Sequence, residues 1–393
     1  MKIAVFIKST IFHKGYGGLE TQNRLLCTGL ASRGHQITVF APKKDLNLDF
    51  VSEGGVSYIF ISSGSKALFS QVLSASWYNK SLEEFTKRTT QFDLVISQSS
   101  AGLAVIDNKE RLGTKVLTIA HGTALSELKT YYYNNLKLSN TLNVVKNTQY
   151  ALRQFFGRQR RFILRSSAVV AVSEYVKKQL QEETYIDDSK ISVIHNGIVP
   201  FEKDIRSIKD VAPVNLIFAG QVSREKGSRL LLQMVHDPRF ANCVFHIFGD
   251  GHDLQTFNCT PKKTNLKLYG KLSHEDLLTN FSVMQNAVFL FPTNRIEGFP
   301  MILVEAMFAG FPVVAFNMGG VADAVQDGHT GKLVQQGKSE IFINETLELV
   351  QNQSKRDIIG KSARKLAIER FSLECMLNKY EFILGKLLEH ENL

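Results

Sequence analysis

"IEGFPMILVEAMFAGFPVV", from Ile296 to Val314, decides how this chain is read. Pro300 suits the first turn of a helix, where its missing N–H costs nothing, and Gly310 suits the left-handed residue that ends one. Eight of the nine residues between them, Met301 to Ala309, are apolar, so the helix is expected to be buried nearly all round. Glu305 lies in its middle. An isolated buried carboxylate costs several kcal/mol, so Glu305 needs a hydrogen-bonding partner. That partner is either protein, as a buried ion pair with an arginine or lysine, or a ligand.

The residues just upstream favour a ligand. "NAVFLFPT" (Asn286 to Thr293) reads as a short buried strand, followed by a loop carrying Glu297 and Gly298 and then the helix. A loop at the carboxyl end of a strand is where open α/β sheets bind small molecules, and the helix N-terminus behind it attracts phosphate. Glu305, about one turn into the helix, is placed to accept from a neutral diol while the N-terminus holds an anion.

At 393 residues the chain exceeds what one core usually supports. Two domains of about 150 to 200 residues are expected. Hydrophobic residues make up 44%, enough for two cores, and no uncharged apolar run reaches the roughly 18 residues needed to span a bilayer. The opening "MKIAVFI" is followed by polar Lys8, Ser9 and Thr10 without a cleavage pattern, and reads as a first strand. Cys27, Cys243, Cys259 and Cys375 show no metal-ligand spacing and suit reduced cytosolic thiols. The net charge of +10 favours anionic partners, among them nucleotide phosphates, nucleic acid and acidic lipid.

Apolar runs alternate with helical patterns along the first half: residues 2–7, a helix from about Glu20 to Arg33, then 36–42, 92–98, 115–122 and 168–174. A second series runs through 214–221, 244–251, 266–272, 287–293 and 311–316. This alternation predicts α/β domains with parallel sheets covered by helices on both faces. The expected division is residues 1–200, 201–372 and a final helix over 373–393 packing back on the first domain, with a linker near 200–213 and the site in the cleft between domains.

The Ile296 stretch extends into "EGFPMILVEAMFAGFPVVAFNMGGVADAVQDGHTGKLV", and with "GYGGLE", "AVSE" (171–174), "HNGI" (195–198) and "REKG" (224–227) it resembles the retaining nucleotide-sugar glycosyltransferases of glycosyltransferase family 4 over nearly its full length. The resemblance implies a GT-B fold of two Rossmann-like domains whose parallel sheets face a central cleft. It implies that Glu305 binds the ribose hydroxyls of the nucleotide and that Glu297, separated from it by seven residues in the family's glutamate pair, contacts the donor sugar. Gly298, Phe299 and Pro300 would bring backbone close to the sugar and diphosphate, and Met301 completes this donor-binding set. Gly17 and Gly18 would give phosphate or acceptor close approach, or form a plain turn. His121, ending the strand in "TIAHG", matches the family histidine that faces the donor sugar, although a lone histidine also serves structure. Lys226 would stabilise the leaving diphosphate without a metal. The sequence departs from the family at Gln221, where an arginine usually follows the glycine; Arg224 is either its replacement or a solvated residue.

From Lys129 to Arg165 the chain has no acidic residue, while Lys129, Lys137, Lys146, Arg153, Arg158, Arg160, Arg161 and Arg165 are interleaved with Tyr131 to Tyr133, Tyr150, Phe155, Phe156 and Phe162. The pattern fits a surface on anionic lipid, or a solvated basic face with its aromatics in the core. No nucleic-acid module is legible, and nucleic acid is not an expected partner. The expected function is therefore transfer of a sugar from a UDP- or GDP-linked donor to a glycan or lipid-linked acceptor in cell-surface polysaccharide or lipopolysaccharide synthesis. No metal or other cofactor is expected, and the expected location is cytoplasmic, peripheral on the inner face of the membrane. The competing readings are an NADP-dependent oxidoreductase, a non-catalytic sugar-nucleotide binder and, more distantly, a sugar-nucleotide epimerase. The oxidoreductase wants G-x-G-x-x-G after the first strand and an acidic residue ending the second, where this chain has Pro42, Lys43 and Lys44.

Overall fold

The strands are short, nearly continuous apolar runs such as "KIAVF" and "AVFLF", which suit sheets buried on both faces. The computed structural model describes residues 1–14, 17–62, 70–135, 141–202, 213–258 and 265–389. Gly15, Tyr16, Lys137, Cys259 and most of the expected linker, 203–212, lie outside the described residues. The chain forms two compact units, one of Met1–Leu128, Leu142–Gly197 and the segment from Leu373 onward, the other of Lys129–Thr141 and Ile198–Ser372. Residues 129–141 thus differ from the expected assignment to the first domain. They group with the second unit, where Thr130 Oγ1 accepts from the Ile296 N–H at 3.0 Å, a pairing without any local sequence signal.

The first unit holds β1 (Lys2–Phe6), β2 (Gln36–Pro42), β3 (Phe50–Glu53), β4 (Val56–Ile61), β5 (Leu94–Gln98), β6 (Lys115–Ala120), β7 (Ala168–Ala171) and β8 (Ile191–Val193). Their order is β3-β4-β2-β1-β5-β6-β7-β8. Only β3 and β4 pair antiparallel, as a hairpin around Gly54 and Gly55 that the sequence reading missed and that the Gly-Gly pair signals. Phe6 stacks on Phe40 at 5.0 Å between ring centroids and meets Phe85 edge-on at 5.7 Å. Each such ring, fully buried, contributes about 1.5–3 kcal/mol. The helix Leu373–Glu389 packs on the helix Gly18–Ser32, where a Cβ on Gly29 would come within 2.6 Å of Leu377. Arg33 and His35 hold Glu381 at 2.5 and 3.0 Å.

The second unit is all parallel: β9 (Val214–Ala219), β10 (Cys243–Phe248), β11 (Leu266–Gly270), β12 (Ala287–Phe291), β13 (Val313–Phe316) and β14 (Gly331–Val334), in the order β11-β10-β9-β12-β13-β14. The helix Met301–Phe308 starts after Pro300, as expected, and ends at Gly310. There Phe311 N–H bonds Ala306 O and Gly310 N–H bonds Met307 O, closing a Schellman turn.

One polar group is sealed into this sheet. Asn215 Nδ2 donates to Gln285 O at 2.7 Å, so its Oδ1 faces His246 and accepts from Nε2 at 2.9 Å, leaving Nδ1 to accept from the Tyr269 hydroxyl at 2.9 Å. Burial lowers the pKa of His246 to about 4, and that of His121 in the first unit likewise to about 4. The unfolded chain takes up a proton on each near pH 6.5, the folded chain only near pH 4, so acidification across that window favours unfolding by up to about 1.4 kcal/mol per pH unit per histidine. Denaturant midpoints measured between pH 7 and 4.5 are expected to fall, and His246→Gln to fall less steeply than wild type. Equal slopes in the two proteins would refute the assignment.

Candidate functional site

In the second unit the strand order reverses between β9 and β12, so the loops leaving their carboxyl ends stand at the switch point of the sheet, where ligands bind in open α/β sheets. The loop after β9 carries the turn Arg224–Lys226 and the loop after β12 carries Glu297 to Pro300. They are fastened together: Asn294 N–H donates to Glu225 O at 2.7 Å. Gly227 lies at φ +87°, and a Cβ there would stand 2.1 Å from Pro292 O, so no other residue lets these loops approach so closely. The Lys226 ammonium forms an ion pair with Glu297 Oε1 and lies 5.8 Å from the centroid of the Phe291 ring. Behind Glu297, Gly319 lies at φ +62°, with the site of a Cβ only 2.2 Å from Glu297 O, and Gly320 N–H donates to the same carbonyl at 2.8 Å. The Gly319-Gly320 turn therefore fixes the backbone of the loop that carries the glutamate.

Glu305 is buried, at 4% exposure. Its protein partner is neither an arginine nor a lysine: His274 Nε2 meets Oε1 at 2.8 Å, and Oε2 makes no hydrogen bond among the described residues. His274 opens the helix His274–Val283, capped by Ser273 accepting from Asp276 N–H at 3.1 Å. Sequence reasoning missed it. The S-x-x-D cap in "SHED" was legible, but nothing local linked it to a glutamate 31 residues away. Phe299 packs edge-on to Phe371 at 5.4 Å, so its side chain serves the core, and Pro300 and Met301 are also buried. Any contact of this segment with a ligand falls to backbone and to Gly298. Arg224 is exposed on its turn, and its side chain makes no hydrogen bond or ion pair among the described residues.

In the first unit, Gly18 opens the helix Gly18–Ser32 and Gly17 precedes it, its N–H donating to Glu20 Oε2 at 2.9 Å. A Cβ on Gly18 would meet nothing within 4 Å, so the protein itself does not demand glycine there. His121 follows β6 and bonds Gln98 Oε1 through Nε2 at 2.7 Å, while Gln98 Nε2 donates to Asn23 Oδ1 at 2.9 Å. Gln98 and Asn23 are also residues that sequence reasoning did not single out. Of the predicted site residues, Lys226, Arg224, Glu297, Gly298 to Met301 and Glu305 share the second unit, and His121, Gly17 and Gly18 belong to the first.

The basic stretch is helical over Thr141–Arg153 and Arg160–Arg165, with a π-helical turn, Gln154–Gln159, between. Part of its charge is paired. Arg161 and Arg165 both pair with Asp107, Arg160 donates to the Glu183 carbonyl at 3.1 Å, and Arg158 lies over the Tyr78 ring at 5.8 Å. Phe162 is buried, whereas Val145, Tyr150, Leu152 and Phe156 are exposed beside exposed Lys146 and Arg153. Among the described residues no helix is long and apolar enough to cross a membrane.

Two family models match consecutive parts of the chain, Glycosyltransferase Family 4 over residues 16–200 and Glycosyl transferases group 1 over residues 201–366. An uncharacterized glycosyltransferase of Methanocaldococcus jannaschii is 29% identical over 53% of this chain and 56% of its own length. The capsular polysaccharide biosynthesis glycosyltransferase CapM of Staphylococcus aureus is 25% identical over 56% of this chain and 62% of its own. The chain thus spans less than two thirds of the length of these relatives. The solved sucrose-phosphate synthase of Thermosynechococcus elongatus superposes with a TM-score of 0.77 at 17% identity, covering 99% of each chain. Anabaena Alr3699/HepE, solved with UDP and glucose, superposes with a TM-score of 0.69 at 16% identity, covering 98% of this chain and all of its own. None of these favours an oxidoreductase. Two matching family models over successive units, each built on a mainly parallel sheet, identify the chain as a GT-B glycosyltransferase of a family 4-like kind.

Proposed function

We propose that the protein is a retaining, metal-independent glycosyltransferase that moves a sugar from a UDP- or GDP-linked donor to a glycan or lipid-linked acceptor in the synthesis of a cell-surface polysaccharide or lipopolysaccharide. The observation that carries this reading is the pairing of Lys226 with Glu297 on two loops at the switch point, beside a buried Glu305 with one carboxylate oxygen unused. CapM's part in capsular polysaccharide biosynthesis and the binding of UDP and glucose by HepE support the substrate class.

In this reading Glu305 Oε2 accepts from a ribose hydroxyl, while Nε2 of His274 keeps Oε1 in place. The donor sugar's hydroxyls compete for Glu297 and release the Lys226 ammonium toward the diphosphate. Its charge then counts most as the bond between the anomeric carbon and the diphosphate oxygen breaks. The acceptor hydroxyl attacks the anomeric carbon from the face the diphosphate is leaving, and its proton passes to the departing phosphate oxygen, which preserves the anomeric configuration. Arg224 is free to add a second cation, in place of the arginine absent at Gln221. The exposed ridge of Val145, Leu152 and Phe156, flanked by Lys146 and Arg153, rests on an anionic leaflet beside an amphiphilic acceptor.

Glu305→Gln is expected to fold and to bind UDP or GDP about 10- to 100-fold more weakly, since a hydrogen bond to a charged group contributes about 1.5–3 kcal/mol. Thermal-shift titration measures it, and an unchanged affinity would exclude the ribose role. Lys226→Ala is expected to lower kcat by about 10²–10³ with a smaller change in donor affinity, and wild type to keep full activity in excess chelator. A requirement for a divalent ion, or a Lys226→Ala defect confined to binding, would overturn the mechanism. Co-sedimentation with vesicles containing acidic lipid is expected to be lost at high salt and weakened in the variant combining Lys146→Gln, Arg153→Gln and Phe156→Ser. Equal binding by variant and wild type would remove the membrane contact from the reading.

A further inference from the structure

His121, Gln98 and Asn23 come from three separate elements that converge at one place in the first sheet. Gln98 ends β5, His121 follows β6, and Asn23 lies on the helix entered from the loop after β1. The strand order β2-β1-β5-β6 reverses direction between β1 and β5, so the three residues meet at the carboxyl ends of the strands on both sides of that unit's own switch point.

The hydrogen bonds among them have a direction. Gln98 Nε2 donates to Asn23 Oδ1 at 2.9 Å, and both side chains are buried, at 3% and 2% exposure. The amide of Gln98 therefore turns Oε1 toward His121. Oε1 only accepts, so the proton on the imidazole must be on Nε2, across a distance of 2.7 Å. Nδ1 is then a lone pair, and it makes no hydrogen bond among the described residues. Gln22, beside Asn23, is fully buried, and neither its Oε1 nor its Nε2 has a partner among the described residues. Buried polar atoms are ordinarily satisfied, so both are departures from the usual pattern.

We propose that Gln98 and Asn23 are positioning residues: an amide relay that locks His121 in the Nε2–H tautomer, so that Nδ1 presents a fixed acceptor to a hydroxyl of the bound sugar. The proposal rests on the reading of His121 as a residue facing the donor sugar. It adds that the ring recognises the ligand by accepting a hydrogen bond and does not donate a proton to it. Replacing the relay leaves the ring free to exchange tautomers, so that part of the population offers an N–H where the hydroxyl needs an acceptor.

The test is long-range proton–nitrogen NMR on the full chain labelled at histidine nitrogen, with His121→Ala identifying the signal of this ring among the 10 histidines. Wild type at pH 7.5 is expected to show a neutral ring protonated at Nε2. Gln98→Met, which keeps the volume and removes both amide groups, is expected to give a tautomer mixture and about a tenfold loss in kcat/KM for the sugar donor the chain turns over. Gln98→Glu, which retains the acceptor, is expected to restore the Nε2–H tautomer and most of the activity. An Nδ1–H ring in wild type overturns the proposal without any variant, and so does a Gln98→Met protein that keeps both tautomer and kcat/KM. The tautomer is read without turnover, so its result is separate from the identity of the donor. Wild-type transfer by His121→Ala, with the tautomer as expected, would instead refute the donor-facing reading and this use of the relay with it.

Discussion

Parallel strands cannot be joined by a tight turn; each crossover has to climb back over the sheet, usually as a helix. Every strand of the second unit obeys this rule, and all but the β3–β4 hairpin of the first. The consequence is geometric. All loops that leave carboxyl ends emerge on one edge of a sheet, and where the order reverses two loops far apart in sequence stand side by side. The meeting of Lys226 with Glu297, 71 residues apart, and of Asn23 with Gln98, 75 apart, follows from that single constraint. Each unit thereby gathers its polar side chains at the same kind of place by the same route.

The two glutamates of the second unit are held by opposite electrostatics. Glu297 and Lys226 are each about a fifth exposed, so their attraction is screened and contributes about 0–1 kcal/mol to stability. A pair held so weakly exchanges partners readily when an anion arrives. Glu305 is out of water, and its carboxylate depends on the His274 N–H to offset part of a desolvation cost of several kcal/mol. The apolar residues around it anchor the helix, so the carboxylate stays at a fixed depth behind the loop whether or not it is used. The screened charge is on the loop and the desolvated one is in the helix.

The same contrast runs through the basic stretch. Arg161 and Arg165, both exposed, converge on one aspartate, and Arg160 closes on a carbonyl, so part of what reads as free cationic surface is paired charge at the surface. Lys146 and Arg153 are exposed without such a partner among the described residues, beside a few exposed apolar side chains. Counting charges along a chain overstates the field it presents, because each charge that finds a fixed partner is lost to the surface.

Period and punctuation settled much of this protein. Apolar runs separated by helical spacing made the two parallel sheets legible, and Pro300 and Gly310 bounded a helix whose ends fall where those residues require, because both act on backbone angles within one or two residues. Glu305 announced itself as a buried charge for an equally local reason, eight apolar neighbours. The short hairpin strands escaped, as did the membership of residues 129–141 in the second unit and the identity of the group that holds Glu305. The same is true of the Gln98–Asn23 support of His121 and the internal partners of the arginines. Each of these is a pairing between distant segments. Side-chain chemistry states what a residue can bond to, but which of many chemically equivalent partners comes within 3 Å is decided by strand order and helix packing, which depend on the whole chain at once.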